Sequence, residues 1–399
     1  MITQTLALLL DGYRELNAKK LFWITLLFSG LLVGVYACFG ITEYGMTFLG
    51  MRVPIPMVNS KIYPPEVFYK MGFVDYGVGM WLAWGATILA LVSTAPIFPD
   101  FLAGGAIELV LSKPISRVRL FLTKYFTGLL FVALQVSVFT LASFLVIGIR
   151  GGLWEFKVFL AIPIVLCFFS YLFCVCTLLG VLTRSTIASL LLTLLFWFFM
   201  WVFNAADAGT LMGRTYYEKE IQLITERLPR MEAAAAAMLD AQTPEEERKP
   251  GGPEKYTPEQ LDAVNPILAK RRKDLAEARS MHERLVFWND LTVNIKTFLP
   301  KTGETIYVLK RALISDEEIK RFRVELQNAP KPEQRRRNGE ARRAEKNNED
   351  DVRVSGDEVG IAVEDALSAR SLAWVIGSSL GFEAVILALA AWRFGRRDF

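Results

Sequence analysis

The feature that most constrains this chain is a set of six apolar runs, each long enough to cross a lipid bilayer. A helix needs about 20 mainly apolar residues to cross a hydrocarbon core of about 30 Å. The chain is 53% hydrophobic and 22% charged, and both figures hold because the charge lies mainly between the runs. The runs cover residues 21–41, 77–98, 126–149, 158–182, 187–203 and 372–392. They predict an all-α polytopic membrane protein with six transmembrane helices.

Lysine and arginine residues in the short loops predict the orientation of the six helices. They are more numerous before the first run, between the second and third, between the fourth and fifth, and after the sixth. That side carries Arg14, Lys19, Lys20, Lys113, Arg117, Arg119, Lys124, Arg184, Arg393, Arg396 and Arg397, and the other carries Arg52, Lys61, Lys70, Arg150 and Lys157. We therefore expect a multi-pass protein of the inner (plasma) membrane with both termini cytoplasmic. Residues 1–20 are expected to form an amphipathic lead-in helix, and residues 371–399 the sixth span and a basic tail.

Residues 204–370 form a long polar stretch between the fifth and sixth runs, which this orientation places outside the cytoplasm. Thr257 and Gln260 flank Pro258 as a capping box would, which predicts a helix start. Together with the helix-forming residues before it, this predicts an antiparallel helical hairpin that is available to an extracytoplasmic partner. Residues 330–358 are highly charged and poor in large apolar side chains, so they are expected to be disordered or to form a flexible strap.

The second and third runs are separated by a segment of different character, residues 99–125. Its stretch GGAIELVLSKPISRVRLFLTKY is basic and has apolar residues at helical spacing, which is typical of a helix at an interface. Pro114 has no backbone donor, and its ring would clash with the carbonyl of Val110, so two short helices with a bend are expected. Such an elbow suits contact with a soluble cytoplasmic partner, and it equally suits anchoring to anionic lipid.

The same stretch resembles the segment after the second span of type-2 ABC exporter permeases. The matching residues are Glu108, Ser112, Lys113, Pro114, Ser116, Arg117 and Lys124, within the run from Glu108 through "LVLS" to the lysine before the third span. The resemblance extends to the six spans, the lead-in "DGYRELNAKKLFW" and the tail "WRFGRRDF". Among subgroups, it is similar to permeases related to nitrous-oxide-reductase maturation and gliding-motility transporters. The large insertion departs from their compact pattern.

This resemblance implies a permease subunit that a separate cytoplasmic ABC ATPase drives through the elbow. Lys113 to Arg117 would dock in a cleft of that ATPase, and a second permease copy or a paralogue would complete the transporter. The chain has no G-x-x-x-x-G-K-[ST] phosphate loop, so it is not expected to be an enzyme. ATP and magnesium are expected on the partner ATPase, with no cofactor in this chain and no nucleic acid among its partners.

Three polar residues within the spans are candidates for a substrate path. Glu383 lies near the middle of the sixth run, where a charge costs about 2.5–3.5 kcal/mol. It is therefore expected to face the bundle interior, to be protonated or to be paired, with Gln135 and Thr140 as candidate partners. The alternative is a structural hydrogen bond to a neighbouring span, which the sequence favours slightly. Gly30 and Gly34 form a G-x-x-x-G face that serves either internal packing or a dimer interface.

The remaining chemistry-bearing residues offer weaker hypotheses. Cys167, Cys174 and Cys176 lie in the fourth run, where small buried thiols are the simpler interpretation and a copper or redox site is the alternative. His282 is the only histidine, so it has no second histidine for a zinc site. A second function from another class also stays open: a membrane-anchored scaffold or mechanotransmission protein whose extracytoplasmic domain binds an envelope partner.

Overall fold

The computed structural model describes residues 14, 20–53, 59–60, 63–103, 116–244, 251–314, 318 and 354–396. Most of them are helical, in twelve α-helices that we number in chain order. These are α1 (Lys20–Cys38), α2 (Pro65–Met71), α3 (Thr87–Thr94), α4 (Ile97–Ala103), α5 (Arg117–Gly151), α6 (Ala161–Thr183), α7 (Thr186–Gln242), α8 (Pro258–Val264), α9 (Pro266–Thr297), α10 (Thr302–Leu313), α11 (Gly356–Ser368) and α12 (Ser378–Gly395). Two π-helices, Gly72–Ala86 and Ala373–Gly377, and two 3₁₀-helices, Phe156–Leu160 and Pro253–Lys255, complete the helical elements.

Six continuous helical stretches in the described part of the chain are long and apolar enough to cross a membrane. They are Lys20–Cys38, Pro65–Leu102, Arg117–Gly151, Phe156–Thr183, Thr186–Gln242 and Ala373–Gly395. Each one overlaps one of the six apolar runs, so the chain is a helical membrane protein, as predicted. The expected lead-in of residues 1–20 lies outside the described residues except for Arg14 and Lys20.

The short segment after α1 is not helical. It forms a three-stranded antiparallel sheet in the order β1 (Phe39–Thr42), β2 (Gly45–Phe48) and β3 (Met51–Val53). Phe48 pairs with Met51, so β2 and β3 are joined by the two residues Leu49 and Gly50. Both have positive φ, at 50° and 81°, which is the backbone of a type I′ hairpin turn.

The chain divides into two compact units. The first contains the described residues of Met1–Trp201, Thr297–Pro330 and Ser371–Phe399, and the second those of Val202–Lys296 and Lys331–Arg370. The described residues of Thr297–Pro330 lie within the predicted insertion, residues 204–370, and group with the first unit. The reason is α10, an amphipathic helix whose Leu309 and Leu313 are buried and which packs chiefly against α6.

Within the first unit, the closest helix packing involves α6, which contacts α5, α10 and α12. Ser116 starts α5, because its side chain accepts a hydrogen bond from the backbone N–H of Arg119 at 3.4 Å. The helix ends at Gly151, and Gly152 follows as its C-cap residue. The φ of Gly152 is 75°, a left-handed conformation that glycine adopts without strain. This long helix places residues from the elbow and from the third span on one rigid element.

Within the second unit, α7 and α9 run antiparallel. Glu232 pairs with Arg272 at 2.8 Å, and Asp207 pairs with Lys296 at 2.7 Å, so opposite ends of the two helices meet. The predicted helical hairpin is therefore present, and α7 continues through Pro229 without a break. The predicted capping box of Thr257 and Gln260 is also present at the start of α8. A small apolar core lies between these helices and consists of Ala235, Ala236, Leu261 and Leu268, with Leu228, Met231, Leu239 and Tyr256 around it.

Most of the predicted disorder at residues 330–358 lies outside the described residues. Its last residues, 354–358, are described, and α11 begins at Gly356. Ser355 occupies the N-cap position of that helix with extended backbone. The sequence that follows has apolar residues at four-residue spacing, Val359, Val363 and Leu367, which is typical of a helix.

Candidate functional site

Residues 104–115 of the predicted coupling elbow lie outside the described residues. Glu108, Ser112, Lys113 and Pro114 are among the residues that are not described, so their predicted roles stay predictions. The described part begins at Ser116, which caps α5 as given above. The structure therefore shows where the elbow joins the bundle.

The start of α5 is tied to the end of α12. Arg117 donates from Nη1 to the backbone carbonyl of Gly395 at 3.2 Å. Phe394 is buried, and its ring centroid lies 5.7 Å from that of Phe121 on α5 and 6.5 Å from that of Phe101 on α4. Lys124 places its ammonium 5.4 Å from the centre of the Phe101 ring, within the range of a cation–π contact. The first turns of α5 thus contact both neighbouring helix ends.

The buried carboxyl of Glu383 lies where α5, α6 and α12 meet. The residue is 8% exposed. Its Oε1 accepts a hydrogen bond from the hydroxyl of Tyr125 at 2.8 Å, and its Oε2 lies 2.7 Å from the hydroxyl oxygen of Ser170. The predicted location in the bundle interior is therefore correct. We call Glu383, Tyr125 and Ser170 the carboxyl cluster.

The predicted partners of Glu383 were wrong. Gln135 and Thr140 are buried on α5, but neither bonds to the carboxyl, and Gln135 Nε2 and Thr140 Oγ1 have no hydrogen-bond partner among the described residues. Tyr125 takes their place because it lies nearer the Arg117 end of the same helix, level with Glu383. Gln135 instead lines a small cavity together with Thr25, Ser29 and Thr87.

The candidate interface glycines lie on an open face of α1. A Cβ atom added at Gly30 or at Gly34 would meet no atom within 4 Å. Leu27 and Leu31 on the same helix are 69% and 60% exposed. None of the described residues therefore packs directly against the G-x-x-x-G face. The dimer interface stays a prediction.

The cysteines do not form disulfides. All four are free thiols, and Cys174 and Cys176 are buried in α6. Among the residues that the structure describes, no group of three His, Cys, Asp or Glu side chains is placed to hold a metal ion. Cys174 donates from its thiol to the carbonyl of Tyr171 at 3.2 Å, an ordinary intrahelical contact.

A charged cluster in the second unit was missed in the sequence. Asp207 accepts from Lys296 Nζ at 2.7 Å, and it receives two hydrogen bonds from the Arg370 guanidinium at 2.8 and 2.9 Å. Asn289 donates to the same carboxylate at 3.4 Å and to Thr210 at 3.1 Å. The side chains of Asp207 and Lys296 are 4% and 5% exposed. We call Asp207, Lys296, Arg370 and Asn289 the insertion clasp. It joins residues near the start of Val202–Lys296 to residues at the ends of Val202–Lys296 and Lys331–Arg370, the two segments of the second unit.

A more exposed polar contact lies near the other end of α7. Tyr256 donates its hydroxyl hydrogen bond to Asp240 at 2.6 Å, and Lys255 pairs with the same carboxylate at 2.7 Å. The hydrogen bond to Asp240 raises the pKa of the Tyr256 phenol above its usual value, because the neutral form is the donor. This contact fixes the loop before α8 to the end of α7.

A buried lysine fixes the start of α10. Lys301 is fully buried, and its ammonium donates to the carbonyls of Thr297 and Leu299 at 3.1 Å each and to the hydroxyl of Ser378. Its backbone N–H donates to Ser379 Oγ at 2.9 Å, and its ammonium lies 4.6 Å from the ring centre of Trp374. The segment between α9 and α10 is thereby held against the beginning of the last span. Lys301 stands between a proline and a threonine with no local pattern that marks it as buried.

Comparison of the chain with protein-family models, with curated proteins and with solved structures finds no match. The candidate site has two parts. One is the buried carboxyl of Glu383 where α5, α6 and α12 meet, and the other is the aromatic junction of Phe101, Phe121 and Phe394 next to the elbow.

Proposed function

We propose that this chain is the transmembrane permease subunit of an ATP-driven ABC exporter. A separate cytoplasmic ATPase binds residues 104–125 and supplies ATP and Mg²⁺, and the chain itself catalyses no reaction. It works in the inner membrane with both termini cytoplasmic, beside a second copy or a paralogue. The resemblance of residues 104–125 to the type-2 exporter permeases motivates this proposal.

The observation that carries the proposal is the junction at the start of α5. A force applied to the elbow enters the bundle at Arg117, which is bonded to the last residue of α12. The Phe394 ring on α12 lies 5.7 Å from that of Phe121 on α5 and 6.5 Å from that of Phe101 on α4. Because packed aromatic side chains do not compress, these three helices would move together. Such a junction suits a permease that is driven from its elbow.

The test is purification of the chain from its native membrane, followed by identification of bound proteins and an assay of ATP hydrolysis. Arg117→Gln is expected to lower both the amount of co-purified ATPase and the coupled hydrolysis several-fold. Arg150→Gln is a matched control, because Arg150 lies at the other end of α5 and donates to the carbonyl of Phe39 at 3.1 Å. Equal effects of the two substitutions, or the absence of any ATPase from an intact preparation, would refute the proposal.

The second candidate is a mechanotransmission protein that passes no substrate and moves an envelope partner through its insertion. The insertion clasp favours it, since a buried, doubly paired carboxylate holds the ends of the second unit together. With the partner ATPase bound, nucleotide would then change hydrogen exchange in α7 and α9 while transport assays stay silent. Export of a substrate with no change in the second unit would exclude this candidate.

A further inference from the structure

The hydrogen-bond geometry of the carboxyl cluster indicates where its protons lie. Ser170 Oγ is 2.7 Å from Glu383 Oε2 and 2.9 Å from the carbonyl oxygen of Cys167. A serine hydroxyl has one proton, and a carbonyl can only accept. If Ser170 donates to Cys167, the proton between Ser170 and Glu383 must belong to the carboxyl group. A neutral Glu383 then donates from Oε2 and accepts from Tyr125 at Oε1, and every short contact has a proton.

The charges around the cluster favour the same state. Within the described part of the chain, both hydrogen bonds of Glu383 are made with neutral hydroxyl groups. The titratable groups that interact with it are Tyr125 on α5 and Cys167, Tyr171 and Cys174 on α6. All of these are uncharged when protonated, and the buried cation Lys301 bonds to Ser378 instead. An ionised carboxylate in a span without a cation is strongly disfavoured.

The two directions along α12 differ in polarity. Ser379 lies one turn before Glu383, is fully buried and accepts from the backbone N–H of Lys301. In the other direction the same face continues with Ala390 and Phe394, both buried, and Phe394 packs in the aromatic junction. The polar Ser379 thus lies between the carboxyl and the end where α12 begins, and apolar side chains lie on the same face toward the other end.

We propose that Glu383 is a proton-binding site that exchanges its proton only toward the end of the bundle where α12 begins. When the proton leaves to solvent at that end, the Ser170 hydroxyl turns from Cys167 to the new carboxylate. The carboxylate then lacks a cation, so ionisation favours a rearrangement of α5, α6 and α12 that hydrates it. This site would respond to the proton gradient whether or not the chain is an ABC permease.

The protonation state can be measured by infrared spectroscopy of the full chain in lipid nanodiscs at neutral pH. The carbonyl band of a protonated carboxyl group is expected in the wild type and is expected to be lost in Glu383→Gln. Asp207→Asn is the control and should leave this band, because Asp207 is ion-paired. Tyr125→Phe removes the donor to Oε1 and should shift the band to higher wavenumber, which identifies Glu383 even if the glutamine variant does not fold. If Tyr125→Phe leaves the band in place, or Glu383→Gln removes only carboxylate absorption, the proposal is wrong.

The direction of exchange needs a second measurement, the rate at which this band shifts after transfer to D₂O. Ser379→Ala is expected to slow the shift several-fold. Ser137→Ala is the matched control, since Ser137 on α5 bonds to its own helix at Ala133 as Ser379 bonds to Val375. A band that never exchanges would make Glu383 a structural hydrogen-bond donor only. Equal slowing in the two serine variants would refute the route.

Discussion

Replacing Asp207 with asparagine tests whether the insertion clasp holds the second unit together. The substitution keeps the shape of the side chain and removes its negative charge. Lys296 and Arg370 then remain as cations whose side chains are 5% and 14% exposed, and neither keeps its carboxylate partner in the clasp. We expect the joined ends of α7 and α9 to open more often, because the two buried positive charges repel each other.

The burial of the clasp sets the expected free-energy cost of the Asp207→Asn substitution. Removal of one partner from a buried ion pair typically costs about 3–5 kcal/mol. Arg370 is the more exposed of the two cations and can turn toward solvent, so the lower value of about 3 kcal/mol is appropriate. This corresponds to an increase of about a hundredfold in the opening equilibrium of this end of the unit.

A more exposed ion pair in the same unit is the matched control. Glu232 and Arg272 have side chains that are 28% and 22% exposed, and Arg272 keeps a second partner, Asp262, at 3.0 Å. Such pairs contribute about 1 kcal/mol or less, so Glu232→Gln should raise opening about fivefold at most.

The assay is amide hydrogen exchange of the full chain in nanodiscs, followed in peptides that cover residues 202–215 and 285–296. Adding Lys296→Met to Asp207→Asn should restore part of the protection, because one of the two neighbouring positive charges is removed. Protection that falls no further in Asp207→Asn than in Glu232→Gln would refute the reasoning from burial.

Three further predictions concern the helices of the first unit. Gly128→Ala would place a Cβ 2.7 Å from the Phe173 ring, which stacks on Tyr125. Thermal unfolding should therefore show a loss of stability of about 1–3 kcal/mol. Gly209→Ala is the control and should show no loss, because its Cβ would meet no atom within 4 Å. Gly30→Leu should leave the protomer folded, because the added side chain meets open space, and it should lower the dimer fraction in mass photometry. Gly377→Leu, also at an open position, is the control. An unchanged dimer fraction in Gly30→Leu, or the same loss in Gly377→Leu, would count against the α1 interface. Gln135→Leu removes a buried amide nitrogen that has no hydrogen-bond partner among the described residues. The stability of the protein should therefore stay equal or rise by about 1 kcal/mol. A clear loss of stability would mean that a bound group satisfies this amide.

Much of the architecture was predictable because a bilayer imposes a length and a polarity on each span. The small sheet was not, although Gly45 and Gly50 mark its two turns, because its strands have only three or four residues. The position of α10 was not predictable either. Its charged residues place it among polar segments, and an apolar stripe such as that of Leu309 and Leu313 does not name the surface that it covers.

The carboxyl cluster shows the same limit within the spans. The cost of a charge in lipid predicts that Glu383 faces the interior, but it does not predict which side chain it meets. Almost every face of these helices is apolar, so the sequence carries little information about their rotation. Gln135 and Thr140 were the obvious polar residues of the third run, whereas Tyr125 lay at the end of the predicted elbow.

The location of Tyr125 connects the two proposals. Residues 117–125 have the sequence RVRLFLTKY, which contains neither glycine nor proline, and they form the first turns of the continuous helix α5. Eight residues of α-helix span about 12 Å, and a helix without a π-bulge or proline has no hinge over that length. A displacement of Arg117 would therefore move Tyr125 together with Glu383 on α12, to which it is bonded at 2.8 Å, relative to Ser170 on α6. Protonation of Glu383 would in turn favour one position of the elbow, since a coupling between two sites acts equally in both directions.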